Sequence, residues 1–395
     1  MNVFLCCFQS SRDHDVRPHR FWRQTFAPAL RTLGHDVVEP QGLDFVEPFA
    51  RWGERSWLRS YRARTSEELV RQVREVHDRV GVDLFLSYFY AVHVFPDAIE
   101  AIGKLGIPTV NFFCDNLREF HHVATIVDAY TLNWVPEKEA GALYRARGAS
   151  YAHIPFGADP GLHGMRAGPE LPQVSFVGSV DGLRTRLLAQ VLAADLPLHA
   201  YGWGWASDAV PSPPTGKPRG RWDWYRRSVG QHADRIRHFG VMAELRHLRY
   251  RGPVGLGLLR GYSHALHPGV EPETLLGLAA RSAVFLGINR CPHPGYPIDA
   301  PLVYSRLRDV EAPMMGACYL TEYCAELEDL FEIGTEIAVY RTVEDLVEQA
   351  RRLLADPVAR GDLRRRGRSA ALARHTWERR IRSLLGVLGL AGVRT

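Results

Sequence analysis

Arg308 and Glu311 stand three residues apart at the head of an apolar segment that stops at Gly316 and leads into the strand-like run Ala317-Cys318-Tyr319-Leu320-Thr321-Glu322. On a helix, positions i and i+3 share a face. The pair would offer one ligand a cation for phosphate and an acceptor for sugar hydroxyls. The plainer alternative is a surface glutamate paired to Arg308. About 130 residues earlier lies Phe176-Val177-Gly178-Ser179-Val180-Asp181-Gly182-Leu183-Arg184-Thr185-Arg186, a strand, a glycine turn and a helix start. Amides at a helix N-terminus attract phosphate, and Gly178 and Ser179 permit close approach. Arg184 and Arg186 would add the charge that holds a diphosphate. Taken alone, such a joint is as often structural. Arg290, after the apolar run 283–288, is a further cation at a strand end.

Proton-transfer candidates lie in the first half. The loop after the first apolar run reads Ser10-Ser11-Arg12-Asp13-His14-Asp15. Asp13 and His14 are candidate catalytic groups. Asp-x-Asp also suits a hard cation, although without a further carboxylate such a loop pair is solvated. In Phe112-Phe113-Cys114-Asp115-Asn116, Asp115 ends a strand and is the third candidate, as a base or a partner for acceptor hydroxyls. His121 and His122 follow on a polar stretch and read as exposed. Tyr201-Gly202-Trp203-Gly204-Trp205 reads either as a turn at the binding edge or as tryptophan core packing.

These groups need a scaffold. At 395 residues, two domains are expected, and the apolar fraction of 46% and charged fraction of 24% are those of a globular protein. No run approaches the ~20 apolar residues that cross a bilayer. The N-terminus reads as a strand and not as a secretion signal, and the six cysteines show no metal-ligand spacing, so a cytoplasmic compartment is expected, with membrane association left open. Short apolar runs near 3–8, 36–39, 83–88, 108–113, 130–134 and 151–154 alternate with helix-like segments, among them 21–33, 66–80 (N-capped by Ser66), 96–105 and 136–147. This rhythm predicts βαβ units and a parallel sheet. A Gly/Pro-rich stretch at 157–172 reads as a linker, and a second α/β run follows it. Ala206 to Pro253 breaks the rhythm with ten Lys/Arg against four Asp/Glu, while the whole chain carries +5. A helix is expected there over 232–250. Such a segment suits an acceptor, a membrane surface, a second subunit or no partner at all.

The succession from Arg308 to Glu322, then Phe331-Glu332-Ile333-Gly334-Thr335-Glu336, Asp356-Pro357-Val358-Ala359-Arg360 and His375-Thr376-Trp377-Glu378-Arg379-Arg380, resembles the C-terminal domain of spore-maturation CgeB-like glycosyltransferases, relatives of the group 1 retaining enzymes. The runs at 176–186 and 201–205 resemble the same family, and the likeness extends from about Pro108 onward apart from the basic segment. It implies an α/β GT-B fold: two Rossmann-like domains facing across a cleft, at 1–160 and 173–374 with an insertion at 206–253, and a C-terminal helix, 375–395, crossing back to the first domain. It implies transfer of a sugar from a nucleoside-diphosphate sugar to an unidentified glycan, protein, lipid or small-molecule acceptor, with retention. No metal or other cofactor is expected, because such enzymes meet the leaving diphosphate with protein cations, and no nucleic-acid partner is expected. Glu311 matches the glutamate that binds ribose hydroxyls in the group 1 family. A second glutamate eight positions earlier in that pattern is Val303 here, which leaves the donor-sugar contacts undefined. Gly178, Ser179, Arg184, Arg186, Arg290, Arg308 and Glu311 are the expected donor-nucleotide residues. A nucleotide-sugar epimerase of the same fold, or a non-catalytic GT-B-like scaffold, are the alternatives.

Overall fold

A computed structural model of the chain describes residues 1–10, 21–51, 54–161, 168–206, 229–230, 232–233, 236–237, 239–251 and 256–390. Asp13 and His14 lie outside the described residues. Contacts divide the chain into two compact units. The first gathers Met1–Pro155 with the C-terminal segment from Trp377, and the second holds Phe156–Pro211 and Arg235–Thr376.

Unit 1 is built on a six-stranded parallel sheet: β1 (Asn2–Cys7), β2 (Asp36–Val38), β3 (Leu84–Tyr88), β4 (Thr109–Phe112), β5 (Leu132–Val135) and β6 (Tyr151–His153), in the order β2-β1-β3-β4-β5-β6. β1, β3, β4 and β5 are buried almost throughout, which is why they read as continuous apolar runs. The expected helix at 66–80 is in fact Arg55–Val80. Ser66 is not its cap. Its hydroxyl accepts the Phe95 N–H at 2.9 Å in the middle of the helix. The polar stretch 55–64 carries too few apolar residues to announce a helix.

The terminal helix Trp377–Val387 packs on the helix Phe21–Thr32. Trp377 is buried among Trp22, Phe26, Phe112 and Trp134, with ring centroids 5.3–6.3 Å away. The end of the chain therefore completes the core of unit 1.

Unit 2 carries β7 (Leu171–Val177), β8 (Leu198–Tyr201), β9 (Leu266–His267), β10 (Ser282–Gly287), β13 (Tyr319–Glu322) and β14 (Ala338–Tyr340) in a parallel sheet of order β14-β13-β10-β7-β8-β9. A small antiparallel hairpin, β11 (Arg290–Cys291) with β12 (Leu302–Val303), leaves the sheet after β10. Val303 thus pairs with Arg290 across the hairpin. Counted in chain order within the unit, the sheet runs 3-2-1-4-5-6, the doubly wound arrangement whose direction of winding reverses between β7 and β10. In unit 1 the reversal falls between β1 and β3. In open parallel sheets, ligands bind outside the carboxyl ends of strands at such reversals.

The helix expected over 232–250 is broken in two: the described residues between 229 and 239 are helical, Gly240 interrupts them in the left-handed region at φ 84°, and a second helix runs over Val241–Arg251. Among the described residues, no helix is long and apolar enough to cross a membrane.

Candidate functional site

The carboxyl ends of β13, β10 and β7, neighbours in the unit 2 sheet, present a run of charges. After β7 the chain turns through 178–181, and Asp181 caps the helix Gly182–Ala193. Its carboxylate accepts from the N–H groups of Leu183 (3.0 Å) and Arg184 (2.9 Å). Two amides that the sequence offered to phosphate are therefore already taken by a side chain. Arg184 folds back over the same turn. Its Nη1 donates to the Ser179 carbonyl at 2.9 Å, and its Nε lies 3.2 Å from the Asp181 carboxylate. The turn rests on the 201–205 element. Trp205 is buried and donates from Nε1 to the Gly178 carbonyl at 2.6 Å, while Trp203 is exposed. Gly202 sits at φ 150°, and a Cβ there would lie 2.1 Å from that same carbonyl, so the close approach requires glycine. The run thus serves both as core and as a tight turn at the strand edge.

At the end of β10, Asn289 and Arg290 are held by Glu322, the last residue of β13. Glu322 Oε2 accepts from the N–H groups of both residues (3.2 and 2.9 Å), and Oε1 accepts from Arg290 Nε at 2.9 Å. Burial works to lower the Arg290 pKa, but Glu322 outweighs it and the net shift is upward. Arg290 also feels the Asp181 carboxylate, so the ends of β10 and β7 share one electrostatic neighbourhood. The buried Tyr340 hydroxyl reports the same grouping. Burial pushes its pKa up, Glu322 and Asp309 add to that rise, and Arg290 and Arg184 oppose it.

The helix Leu307–Met314 brings in Arg308 and Glu311. Arg308 Nη1 lies 3.3 Å from Glu311 Oε2, on the shared i, i+3 face, and Glu311 is 7% exposed. That Nη1 atom is buried and makes no hydrogen bond. Between the two residues lies Asp309, fully buried, which fixes where this helix begins. It accepts from Asn289 Nδ2 (3.0 Å), Ser305 Oγ (3.1 Å), Arg306 N–H (2.9 Å), Tyr319 Oη (2.8 Å) and Thr321 Oγ1 (3.0 Å). Burial pushes its pKa up, and these donors pull the other way. The bond to Asn289 ties the start of the Arg308/Glu311 helix to the end of β10. Gly287 makes room for the network, because a Cβ there would lie 2.2 Å from the Tyr319 hydroxyl.

A family model described as glycosyl transferase-like matches residues 184–386, just over half of the chain. The chain belongs to this glycosyl transferase-like family. Its matched stretch runs from Arg184 through Arg290, Arg308 and Glu311 to the terminal helix. No curated protein sequence matches the chain at the significance required. Solved structures that it resembles include sucrose-phosphate synthase from Thermosynechococcus elongatus, at 13% identity and TM-score 0.56 with 98% of each chain covered. Another is Anabaena Alr3699/HepE in complex with UDP, at 15% identity and TM-score 0.51, covering 98% of this chain and 99% of that one. A third is a glycosyltransferase from Rickettsia africae, at 8% identity and TM-score 0.50, covering 100% and 99%. At these identities the likeness speaks to the fold, which is GT-B: two Rossmann-like, parallel-sheet α/β domains.

Of the residues that the sequence singled out in this glycosyl transferase-like chain, 178, 179, 184, 290, 308 and 311 come to one edge of one sheet. Arg186 is exposed on the helix Gly182–Ala193. Sequence reasoning passed over Asp181, Asp309 and Glu322. Asp181 carried a signal, an Asp directly before a helix start, and so did Glu322, an acid closing an apolar strand. Asp309 carried none, since an acid between Arg308 and Val310 reads as a surface position.

In unit 1, Asp115 follows β4 in the left-handed region at φ 62°, which is costly for a residue with a Cβ. Its carboxylate lies 3.1 Å from Arg118 Nη2. Beneath it Glu137 is fully buried and accepts from Asn116 N–H (3.0 Å) and Nδ2 (2.7 Å), while Tyr144 donates to Asn116 Oδ1 at 2.6 Å. Burial pushes the Glu137 pKa up to about 8, the Asn116 donors oppose that rise, and the Asp115 charge adds to it. Burial also raises Glu119, with Arg118 opposing and Asp115 reinforcing. Phe8, at the end of β1, is the other left-handed residue on this edge, at φ 53°. Its ring meets Phe49, Tyr88, Tyr90 and His93 at 5.1–5.8 Å. His121 and His122 are half-buried and lie with ring centroids 3.9 Å apart.

Proposed function

We propose that this protein is a CgeB-like glycosyltransferase that moves a sugar from a nucleoside-diphosphate sugar to an acceptor with retention, without a metal cofactor. The observation that carries the reading is the convergence of Arg290, Arg184 and the Arg308/Glu311 helix on the β7/β10 reversal, bound together by Asp181, Asp309 and Glu322. In this reading Glu311 accepts the ribose hydroxyls, and the arginines meet the diphosphate. Negative charge grows on that diphosphate as the glycosidic bond breaks, so fixed guanidinium groups lower the barrier more than they tighten the ground state. A diphosphate would compete with Asp181 and Glu322 for Arg184 and Arg290, and the existing pairs keep both side chains ordered near the place where that charge develops. Arg308 Nη1, buried beside Glu311, has donor capacity left for a ligand oxygen. Asp115 is the group assigned to acceptor hydroxyls. Asp13 and His14, outside the described residues, are kept as further candidates.

Anabaena HepE has been solved with UDP and with UDP-glucose, which makes UDP-sugars the first donors to try. The test is a thermal-shift screen against UDP-, GDP-, dTDP- and CMP-sugars, followed by donor hydrolysis with the best of them. One donor that raises Tm and is slowly hydrolysed supports the reading. No shift with any of the four removes it.

A further inference from the structure

The helix Val241–Arg251 turns an apolar stripe away from the protein. Val241 is 59% exposed, Met242 68%, Leu245 51% and Leu248 46%. Positions 241, 245 and 248 follow the i, i+4, i+7 spacing of one helical face. Ala243 and Glu244 are buried, and the helix lies against the helix Gly182–Ala193. A globular helix normally turns its leucines toward the core. Here a buried glutamate, three residues after Val241 and four before Leu248, flanks the stripe, and the leucines face outward. Leu258 and Ile236 are exposed as well. A contiguous outward apolar face of this kind marks an interaction surface.

The helix itself is basic in sequence. The helix carries Arg246, Arg249 and Arg251 against the single acid Glu244, whose side chain is buried. Arg237 and Arg260, both exposed, extend the basic surroundings. Apolar residues along an outward face, with basic residues and no exposed acid on the same helix, are the composition of an element that lies in the plane of a lipid interface. We propose that Val241–Arg251 docks on an anionic lipid surface, with Val241, Leu245 and Leu248 entering the acyl boundary and the exposed Arg237 and Arg260 meeting the headgroup phosphates. A second copy of the chain is a poorer occupant. Two such helices face to face would bring like charges together, and the cores of protein interfaces are depleted in charge. The proposal does not depend on the nucleotide-sugar reading.

The test uses the full chain in co-sedimentation with vesicles of phosphatidylcholine plus phosphatidylglycerol and with vesicles of phosphatidylcholine alone. Binding is expected to the anionic vesicles and to weaken with salt. The double variant Leu245→Glu/Leu248→Glu should bind at least about tenfold more weakly, since two leucine insertions are lost. Both positions are exposed, so its Tm and its response to a nucleotide sugar should match those of the unchanged protein. Three results overturn the proposal: no binding to anionic vesicles, equal binding by the double variant, or a dimer in light scattering that the double variant dissolves while vesicles are ignored.

Discussion

The two parallel sheets reverse their winding at different places, and the residues gathered at the two reversals differ in kind. At the β7/β10 reversal of unit 2, ionised groups stand in pairs: Arg184 with Asp181, Arg290 with Glu322, Arg308 with Glu311. At the β1/β3 reversal of unit 1 the described side chains are mostly rings, namely Phe8, Phe49, Tyr88, Tyr90 and His93, with the Arg23–Glu39 pair beside them. The titratable rings among them are pushed toward neutrality. Burial takes His93 down to about 3 and raises Tyr88 and Tyr90. Among the described residues, the same topology therefore carries one edge dominated by ion pairs and one dominated by rings. Pre-paired guanidinium groups suit a polyanion, whereas an aromatic edge with neutral polar groups suits an uncharged, ring-shaped or hydroxylated partner.

The contrast can be broken first at Asp309. Asp309→Ala strips the acceptor from five donors in a fully buried place and should cost about 3–5 kcal/mol of unfolding free energy in urea titration. A loss below about 1 kcal/mol would show that the ionic edge of unit 2 does not depend on this network. The second test addresses unit 1. Glu137 has a folded pKa of about 8, above its ordinary value of 4.5. Its contribution is fully present below pH 4.5 and is lost as pH rises through 8, because in that window the unfolded chain has released a proton that the folded chain retains. Stability should fall with a slope of at most about 1.4 kcal/mol per pH unit, and Glu137→Gln should flatten it. An unchanged slope in that variant removes Glu137 as the source.

Glu311→Ala sharpens the comparison from the ligand side. Loss of one charge-assisted contact should weaken nucleotide-sugar affinity about 10- to 100-fold by calorimetry, and Tm in the absence of donor should fall as well, because the buried Arg308 Nη1 loses its counter-charge. Equal affinity would take Glu311 out of the proposed site. The smallest effect is expected at Arg186. It is exposed on the helix, unlike Arg184, so Arg186→Ala should change donor binding by less than about 0.5 kcal/mol. A larger loss would extend the site along the helix Gly182–Ala193.

Much of the scaffold was legible in the chain, because buried parallel strands leave unbroken apolar runs and glycines mark where helices end. What escaped was too short or too dependent on distant partners. β9, β11 and β12 are two residues each and have no period to detect. The helix Arg55–Val80 starts eleven residues before Ser66, the cap that local spacing suggested, since Ser66 answers to Phe95 across the fold. Within the site, Arg184 and Arg290 could be read from their places just after strand-like runs, and Arg308 and Glu311 from their i, i+3 spacing and the family resemblance. Asp309 could not, because its meaning lies in Asn289, Tyr319 and Thr321. Asp115 was legible as an acid after a strand, but its left-handed backbone and the buried Glu137 below it were not.

Trp377 seats in the first unit's aromatic cluster although it lies more than three hundred residues beyond Phe26. A ribosome finishes that ring only after the whole of the second unit has been made. The earliest-made lobe must therefore wait with Trp22, Phe26, Phe112 and Trp134 uncovered while the later lobe emerges. A stop codon after Thr376 would release a chain whose rear lobe is whole and whose front lobe is left sticky, so truncated products of this gene should aggregate through the end synthesised first.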